Sequence, residues 1–144
     1  MITVNPVYIH EVVSPLIGGA DSEESIDMYG HYNSDSEQEV KQLAREVLLP
    51  EFKKQKPVLQ EVVKHTLAYY LTYPKQNFEA IFNSLLLPLS TPKNARLFFQ
   101  WIWEVFFEGT SKDYIKNEIV VEDFDVNAPL YLLTNTGGYN TPLN

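Results

Sequence analysis

The sequence of 144 residues is 44% hydrophobic and 13% aromatic, which is enough for one packed core and excludes a globally disordered chain. It contains no cysteine, which excludes disulfides, thiolate nucleophiles and thiolate metal sites. Its 19 acidic and 11 basic residues give a net charge of −8, and this acid surplus disfavours nucleic acid as a ligand because phosphate contacts need Lys and Arg.

The first 35 residues are predicted to form an extended arm and an acidic loop. Residues 2–13 are rich in β-branched and aromatic side chains but include Pro6, which indicates a short edge strand or an extended arm. Residues 14–35 are rich in Gly, Ser, Asp and Glu and indicate a long loop, with room for one helical turn around residues 23–29. Residues 1–40 hold eight carboxylates and no Lys or Arg.

The N-terminal residues have neither the basic nor the long apolar segment of a signal peptide. The longest nearly apolar stretch, residues 97–107, is too short to span a bilayer. We therefore expect a cytoplasmic protein that does not bind membranes.

Residues 36–109 are predicted to form a helical core. Ser36 and Glu39 match a capping box, in which the Ser36 hydroxyl accepts from the N–H of Glu39 and the Glu39 carboxylate accepts from the N–H of Ser36. Apolar residues then recur at helical spacing, so the first helix is predicted over residues 37–49, ending before Pro50.

Two further helices are indicated by prolines and a capping residue. Pro57 suits the first turn of a second helix, because its missing N–H is not needed there, and residues 73–74, Tyr-Pro, end that helix. Asn77 is the predicted N-cap of a third helix that stops before Pro88.

The fourth predicted helix has Thr91 as its N-cap, Pro92 at its first position and Gly109 just beyond its end. Its apolar residues cover about 200° of a helical projection. A face this wide indicates a core helix or a contact with a partner, and the core is favoured. The residues predicted to be mostly buried are Phe98, Phe99, Trp101, Ile102, Trp103 and Phe106.

Residues 110–144 are predicted to form short strands and a tail. Residues 115–124 and 130–133 indicate two strands that build a small sheet with the N-terminal arm, and residues 135–142 indicate a loop or a frayed end. The predicted fold of the single domain, residues 1–144, is α+β but predominantly α: a bundle of about four helices with a small β element from the N- and C-terminal segments.

Signals for catalysis or metal binding are weak. Asp27, His31 and Asp35 are spaced to share one helical face and could bind a divalent metal, but Gly30 and Asn33 oppose a continuous helix there. The sequence has no nucleophile elbow and no glycine-rich phosphate motif. We therefore predict that the protein is not an enzyme and has no metal site and no cofactor.

Two carboxylate clusters with nearby tyrosines form the candidate site, although each cluster alone is typical of solubilising charge. An acidic rim with aromatic anchors can recognise a basic protein. The leading hypothesis is a small acidic binding protein that neutralises or masks a basic partner, as an immunity protein or antitoxin does with a nuclease-type toxin. The alternatives are a structural or assembly subunit of a homo-oligomer and a carboxylate- and His-dependent enzyme, and the oligomeric state stays open. The predicted partner-binding residues are Asp21, Glu23, Glu24, Asp27, Tyr29, Tyr32, Glu122, Asp123 and Asp125.

Overall fold

The computed structural model describes residues 1–135, and the side chains of residues 1–132. Most of the described chain is helical, and its strands are short. The elements in chain order are β1 (Ile2–Val4), a 3₁₀ segment (Pro6–Leu16), a 3₁₀ turn (Gly19–Asp21), α1 (Glu23–Tyr29), α2 (Glu37–Leu43), a π-helical segment (Ala44–Leu48), α3 (Leu49–Phe52), α4 (Pro57–Thr72), α5 (Phe78–Ser84), α6 (Ala95–Phe106), a 3₁₀ segment (Lys112–Asn117), β2 (Val120–Glu122) and α7 (Ala128–Asn135).

The prediction of a predominantly helical α+β fold is confirmed. The predicted bundle of about four helices is not confirmed, because short helices also form outside the predicted core, at α1 and α7. The buried apolar side chains belong to one hydrophobic cluster that draws on both ends of the chain as well as on α4 and α6.

The predicted N-terminal arm is extended only in β1, because Pro6–Leu16 forms 3₁₀ turns. Pro6 occupies the first position of these turns, and the Asn5 side chain accepts a hydrogen bond of 3.0 Å from the N–H of Val7. The segment packs against α4. Its β-branched side chains suggested a strand, but burial against a helix decides the conformation here. The buried side chains of the segment are Tyr8, Ile9, Val12, Val13 and Leu16.

The predicted capping box before α2 forms only in part. The Ser36 hydroxyl accepts from the N–H of Glu39 at 3.3 Å, as predicted. The Glu39 carboxylate does not return to Ser36 but accepts from the N–H of Asn33 at 3.0 Å. The N–H of Ser36 instead donates to the carbonyl of Asn33, which closes a turn before the helix.

The first predicted helix does not end before Pro50 but continues through it into α3. Proline usually breaks a helix because it lacks an N–H and its ring meets the carbonyl four residues earlier. Here the backbone widens into a π-helical turn over Ala44–Leu48, and the N–H of Leu49 donates to the carbonyl of Ala44. The wider turn accommodates Pro50 without ending the helix.

The second and third predicted helices are α4 and α5, which begin where they were expected. α4 starts at Pro57 and ends at Thr72. The Asn77 side chain caps α5 by accepting from the N–H of Ala80 at 3.0 Å.

The fourth predicted helix, α6, is capped by Asn94 instead of Thr91. The Asn94 side chain accepts from the N–H of Leu97 at 3.0 Å. The start is later than predicted because the N–H of Lys93 donates to the Asp35 carboxylate at 2.7 Å, which holds the preceding residues as a loop.

The predicted burial on α6 is confirmed for five of the six residues named. Phe98, Phe99 and Ile102 are 0% exposed, and Trp103 and Phe106 are also buried. Trp101 is half-buried and packs at the edge of the core. The wide apolar face of α6 is therefore an internal surface of this chain.

The predicted small β element is a pair of parallel strands from the two ends of the chain. The register pairs Ile2 with Val120, Thr3 with Val121 and Val4 with Glu122. The second predicted C-terminal strand is wrong, because residues 130–133 belong to α7. Pro129 near the start of α7 suits a helix better than a strand, since its N–H is not needed in the first turn. Residues 136–142 of the predicted tail lie outside the described residues.

Candidate functional site

The first predicted carboxylate cluster lies on α1 and on the turn before it. The Ser22 hydroxyl caps α1 by accepting from the N–H of Ser25 at 3.2 Å, and acidic residues in the first turn favour the positive end of the helix dipole. No residue of α1 is buried, and the side chains of Ile26 and Met28 are 46% and 53% exposed. We call the following residues the α1 surface: Asp21, Glu23, Glu24, Ile26, Asp27 and Met28.

The four carboxylates of the α1 surface are exposed. None of them makes a hydrogen bond or an ion pair with a side chain in the part of the chain that the structure describes. Their charge is therefore not neutralised within the described chain.

Main-chain contacts fix the segment that precedes α1. The N–H groups of Gly18 and Ala20 donate to two successive carbonyls after α5, at 3.0 and 2.8 Å. Gly18 has a φ of +78°, and a Cβ on Gly19 would lie 2.8 Å from Cγ of Pro88. The paired glycines therefore let this segment approach the loop after α5 closely, which positions the α1 surface.

A cleft of about 530 Å³ lies between the α1 surface and the π-helical segment that leads into α3. Its walls combine apolar and aromatic side chains with carboxylates at the rim, a combination that suits an Arg or Lys side chain through cation–π and ionic contacts. The residues lining the cleft are Pro15, Met28, Tyr29, Tyr32, Glu46, Val47, Pro50 and Glu51.

Sequence reasoning missed Glu46 and Glu51 as members of the site. Residues five apart on a regular α-helix point about 140° away from each other, so their spacing gives no signal of a shared surface. The π-helical turn adds one residue to the helical repeat between them and brings both to the same cleft. Glu51 pairs with the exposed Lys54 at 2.9 Å, a surface contact that contributes little stability.

The two predicted tyrosine anchors differ in accessibility. Tyr29 is half-buried at the cleft. Tyr32 is only 9% exposed. Its hydroxyl donates to Glu46 at 3.1 Å, and burial, followed by this hydrogen bond, raises the pKa of Tyr32.

Glu122, from the second predicted cluster, is held in a hydrogen-bond network that supports the fold. Its carboxylate accepts from the Tyr70 hydroxyl at 2.8 Å and from Nζ of Lys75 at 3.1 Å. Lys75 also donates to the Tyr69 hydroxyl at 2.6 Å. Burial opposes ionisation, but the hydrogen bonds from Tyr70 and Lys75 outweigh it and lower the pKa of Glu122. Burial, and then Glu122, raises the pKa of Tyr70.

Asp123 and Asp125 shape the turn between β2 and α7. The Asp123 carboxylate accepts from the N–H of Asp125 at 3.1 Å, and the Asp125 carboxylate accepts from the N–H of Asn127 at 2.9 Å. The side chain of Asn5 donates to the carbonyl of Asp125 at 2.8 Å. Among residues 1–135, no hydrogen bond or ion pair joins this cluster to the α1 surface.

His31 follows the end of α1, so Asp27, His31 and Asp35 do not share one helical face. α1 ends at Tyr29, and the ring of His31 lies against that of Tyr32 with centroids 4.3 Å apart. The Asp35 carboxylate accepts from the N–H of Lys93. Within the described chain, no group of three or more His, Asp or Glu side chains could hold a metal ion.

A second histidine takes part in a contact that the sequence did not indicate. Nδ1 of His65 lies 2.6 Å from the Tyr114 hydroxyl, and its Nε2 lies 3.4 Å from the Glu61 carboxylate. Burial lowers the pKa of His65, although Glu61 opposes this shift, and burial raises the pKa of Tyr114. The contact fastens the 3₁₀ segment after α6 to α4, so we assign it a structural role.

Comparison with protein-family models, with curated proteins and with solved structures gives no match. Across residues 1–135, no helix combines the length and the apolar character needed to cross a membrane. The function is therefore inferred from the chemistry of the α1 surface and its neighbouring cleft.

Proposed function

We propose that the protein is a small acidic binding module that neutralises or masks a basic protein partner in the cytoplasm. An immunity protein that inhibits a nuclease-type toxin is an example of this kind of protein. The observation that carries the proposal is the α1 surface: four exposed carboxylates without a described ion-pair partner lie beside a cleft with carboxylates at its rim.

The α1 surface combines the two properties that a binding site for a basic protein needs. Uncompensated carboxylates attract a basic surface over a distance and raise the association rate. Ile26 and Met28 lie among them and are about half exposed, so they can be desolvated by a partner and contribute affinity. In the adjoining cleft, the ring of Tyr29 and the carboxylates of Glu46 and Glu51 would receive an Arg or Lys side chain.

The alternative of a homo-oligomer subunit rested on the wide apolar face of α6. That face packs into the core of its own chain, so it provides no argument for an oligomer. The alternative of a carboxylate- and His-dependent enzyme draws no support from His31, which contacts Tyr32.

The test is the association rate with the product of the adjacent gene, measured by stopped-flow fluorescence. We expect the rate to fall as salt rises above about 0.15 M, where the screening length is about 8 Å. The combined variant Glu23→Lys, Glu24→Lys and Asp27→Lys should lower the rate at least tenfold at low salt, because it reverses the charge that steers the encounter.

The control is the combined variant Glu61→Lys, Glu108→Lys and Asp113→Lys, which changes the net charge equally at exposed carboxylates away from α1. If the control lowers the rate as much as the α1 variant, net charge alone is responsible and the α1 surface is not the site. If salt and both variants leave the rate unchanged, the electrostatic basis of the proposal fails.

A further inference from the structure

The outer edge of β2 is the second feature of the molecule that is suited to a partner. β2 has only one neighbouring strand in the described structure, β1. The N–H of Ile2 donates to the carbonyl of Ile119, and the N–H of Asp123 donates to the carbonyl of Val4, both at 2.8 Å. These bonds fix which residues of β2 face β1.

Along a strand, the N–H and C=O groups of one residue face one edge, and those of the next residue face the other edge. Since Ile119 and Asp123 bond toward β1, the N–H and C=O groups of Val120 and Glu122 face the opposite edge. No described residue forms a hydrogen bond with these four groups. They form an open strand edge, which is a template for another strand.

The side chains along this edge are exposed and apolar. Ile119 is 75% exposed and Val121 is 43% exposed, on the face of β2 that points away from the core. Phe124 and Val126, which follow β2, are 62% and 73% exposed. Proteins protect open edges with short strands, charged side chains, Pro or a bulge. β2 is three residues long and carries Glu122, but it contains no Lys and no Pro.

The charge around the edge favours a basic occupant. From residue 117 onward the sequence contains no Lys or Arg, and Lys75, which lies beside β2, is already paired with Glu122 at 3.1 Å. Glu118 and Asp123 flank the exposed apolar residues on either side, and Asp125 follows. A second copy of the chain would bring the same carboxylates against them, whereas a segment with Lys or Arg would be attracted.

We propose that an extended segment of a partner protein, in which apolar residues alternate with Lys or Arg, adds as a third strand to the outer edge of β2. Main-chain hydrogen bonds to Val120 and Glu122 hold the segment, and its apolar side chains cover Ile119 and Val121. The basic side chains, which alternate with the apolar ones, project from the opposite face of the segment, on the side of Glu118. The inference rests on the proposed function for the charge of the occupant, but it uses none of the residues of the α1 surface.

The test uses a capped hexapeptide in which Lys and Val alternate, with amide hydrogen exchange of the full-length protein followed by NMR. At saturating peptide, exchange at Val120 and Glu122 should slow at least tenfold, while exchange at Ile26 in α1 stays unchanged. A peptide of the same sequence with alternate amides N-methylated should not protect these amides, because it cannot complete the ladder. A peptide with Glu in place of Lys should bind at least tenfold more weakly.

Two protein variants separate this site from the α1 surface. Val120→Pro removes an outward-facing N–H together with a side chain that packs against the core, and it should weaken peptide binding at least tenfold. The combined α1 variant Glu23→Lys, Glu24→Lys and Asp27→Lys should bind the peptide as the parent does. If Val120→Pro unfolds the protein, the exchange measurement on the parent decides.

Peptide binding that leaves Val120 and Glu122 unprotected, or that the α1 variant abolishes, overturns strand addition and leaves the proposed function standing. Absence of peptide binding also overturns strand addition. Slower exchange at both amides on concentrating the protein alone would assign the edge to a second copy. Loss of the salt-dependent association with the partner would instead remove the proposed function, whatever the peptide does.

Discussion

α6 and α1 are both helices capped by a side chain, but they bury their surfaces in opposite ways. α6 begins at the Asn94 cap and buries Phe98, Phe99 and Ile102 completely. α1 begins at the Ser22 cap and buries none of its residues. The difference indicates that the stability of the fold depends on α6 and its neighbours, whereas main-chain contacts hold the segment before α1 and most of the α1 side chains stay exposed.

The largest expected effect tests the α6 side of this comparison. Phe99→Ala or Ile102→Ala should lower the free energy of unfolding by about 2–5 kcal/mol, because each removes buried apolar atoms and leaves a cavity. Urea unfolding measures the change. The matched variants Ile26→Ala and Met28→Ala on α1 should change it by less than about 0.5 kcal/mol. Equal losses at the two helices would contradict the comparison.

The next largest effect separates the two carboxylate clusters. Glu122→Ala should cost about 1–3 kcal/mol, because it leaves the buried hydroxyl of Tyr70 without its acceptor. Glu24→Ala, at an exposed carboxylate, should change stability by less than about 0.5 kcal/mol. In the double variant Tyr70→Phe and Glu122→Ala both partners are gone, so part of the loss should be recovered. A double variant that is less stable than Glu122→Ala would show that the hydroxyl has another role.

Sequence patterns predicted the helices of the core well because capping residues, prolines and apolar periodicity act locally. Asn77 and Pro57 began α5 and α4 as expected. The failures occurred where a distant residue decides the conformation. Asp35 holds the backbone before α6 and delays its start. Residues 6–16 pack against α4, and this packing favours 3₁₀ turns over an extended arm.

The sequence predicted the acidic character of the candidate site but not how its residues are arranged in space. The composition of the sequence identified the acidic residues of α1. The structure adds that they are exposed. It could not distinguish Glu24, which has no described side-chain partner, from Glu122, which is tied to Tyr70 and Lys75. Glu46 and Glu51 line one cleft because of a π-helical turn between them. No sequence motif predicts that turn.

A pH dependence should arise from the packed side of the molecule. Burial lowers the pKa values of His10 and His65, so the unfolded chain binds protons more readily than the folded chain. The free energy of unfolding should therefore be highest above the unfolded pKa of about 6.5 and fall as the pH drops below it. Glu11 acts in the opposite sense, because burial raises its pKa and protonation relieves that cost.

Thermal melting between pH 7.5 and 5.5 measures this dependence. In the double variant His10→Gln and His65→Gln the decrease in melting temperature over this range should be smaller than in the parent. A decrease that is as steep in the double variant would assign the pH dependence to other groups.

The smallest expected effect concerns the loop that supports the α1 surface. Leu86 has a φ of +52°, although it is not a glycine, and its carbonyl accepts from the N–H of Ala20 at 2.8 Å. A left-handed backbone costs a residue with a Cβ about 1–2 kcal/mol, whereas Gly costs about 0.5–1 kcal/mol in lost freedom on folding. Leu86→Ala and Leu86→Gly both remove the exposed side chain, but only Gly relieves the backbone.

Leu86→Gly should therefore be more stable than Leu86→Ala by about 0.5–1 kcal/mol in urea unfolding. Because both variants lose the side chain beyond Cβ, the difference between them reports chiefly the backbone. If the two variants are equally stable, the loop relaxes out of the left-handed conformation when the side chain is shortened. The hydrogen bond from Ala20 would then have to move with it, and the orientation of the α1 surface would depend on the Leu86 side chain as well as on the two glycines.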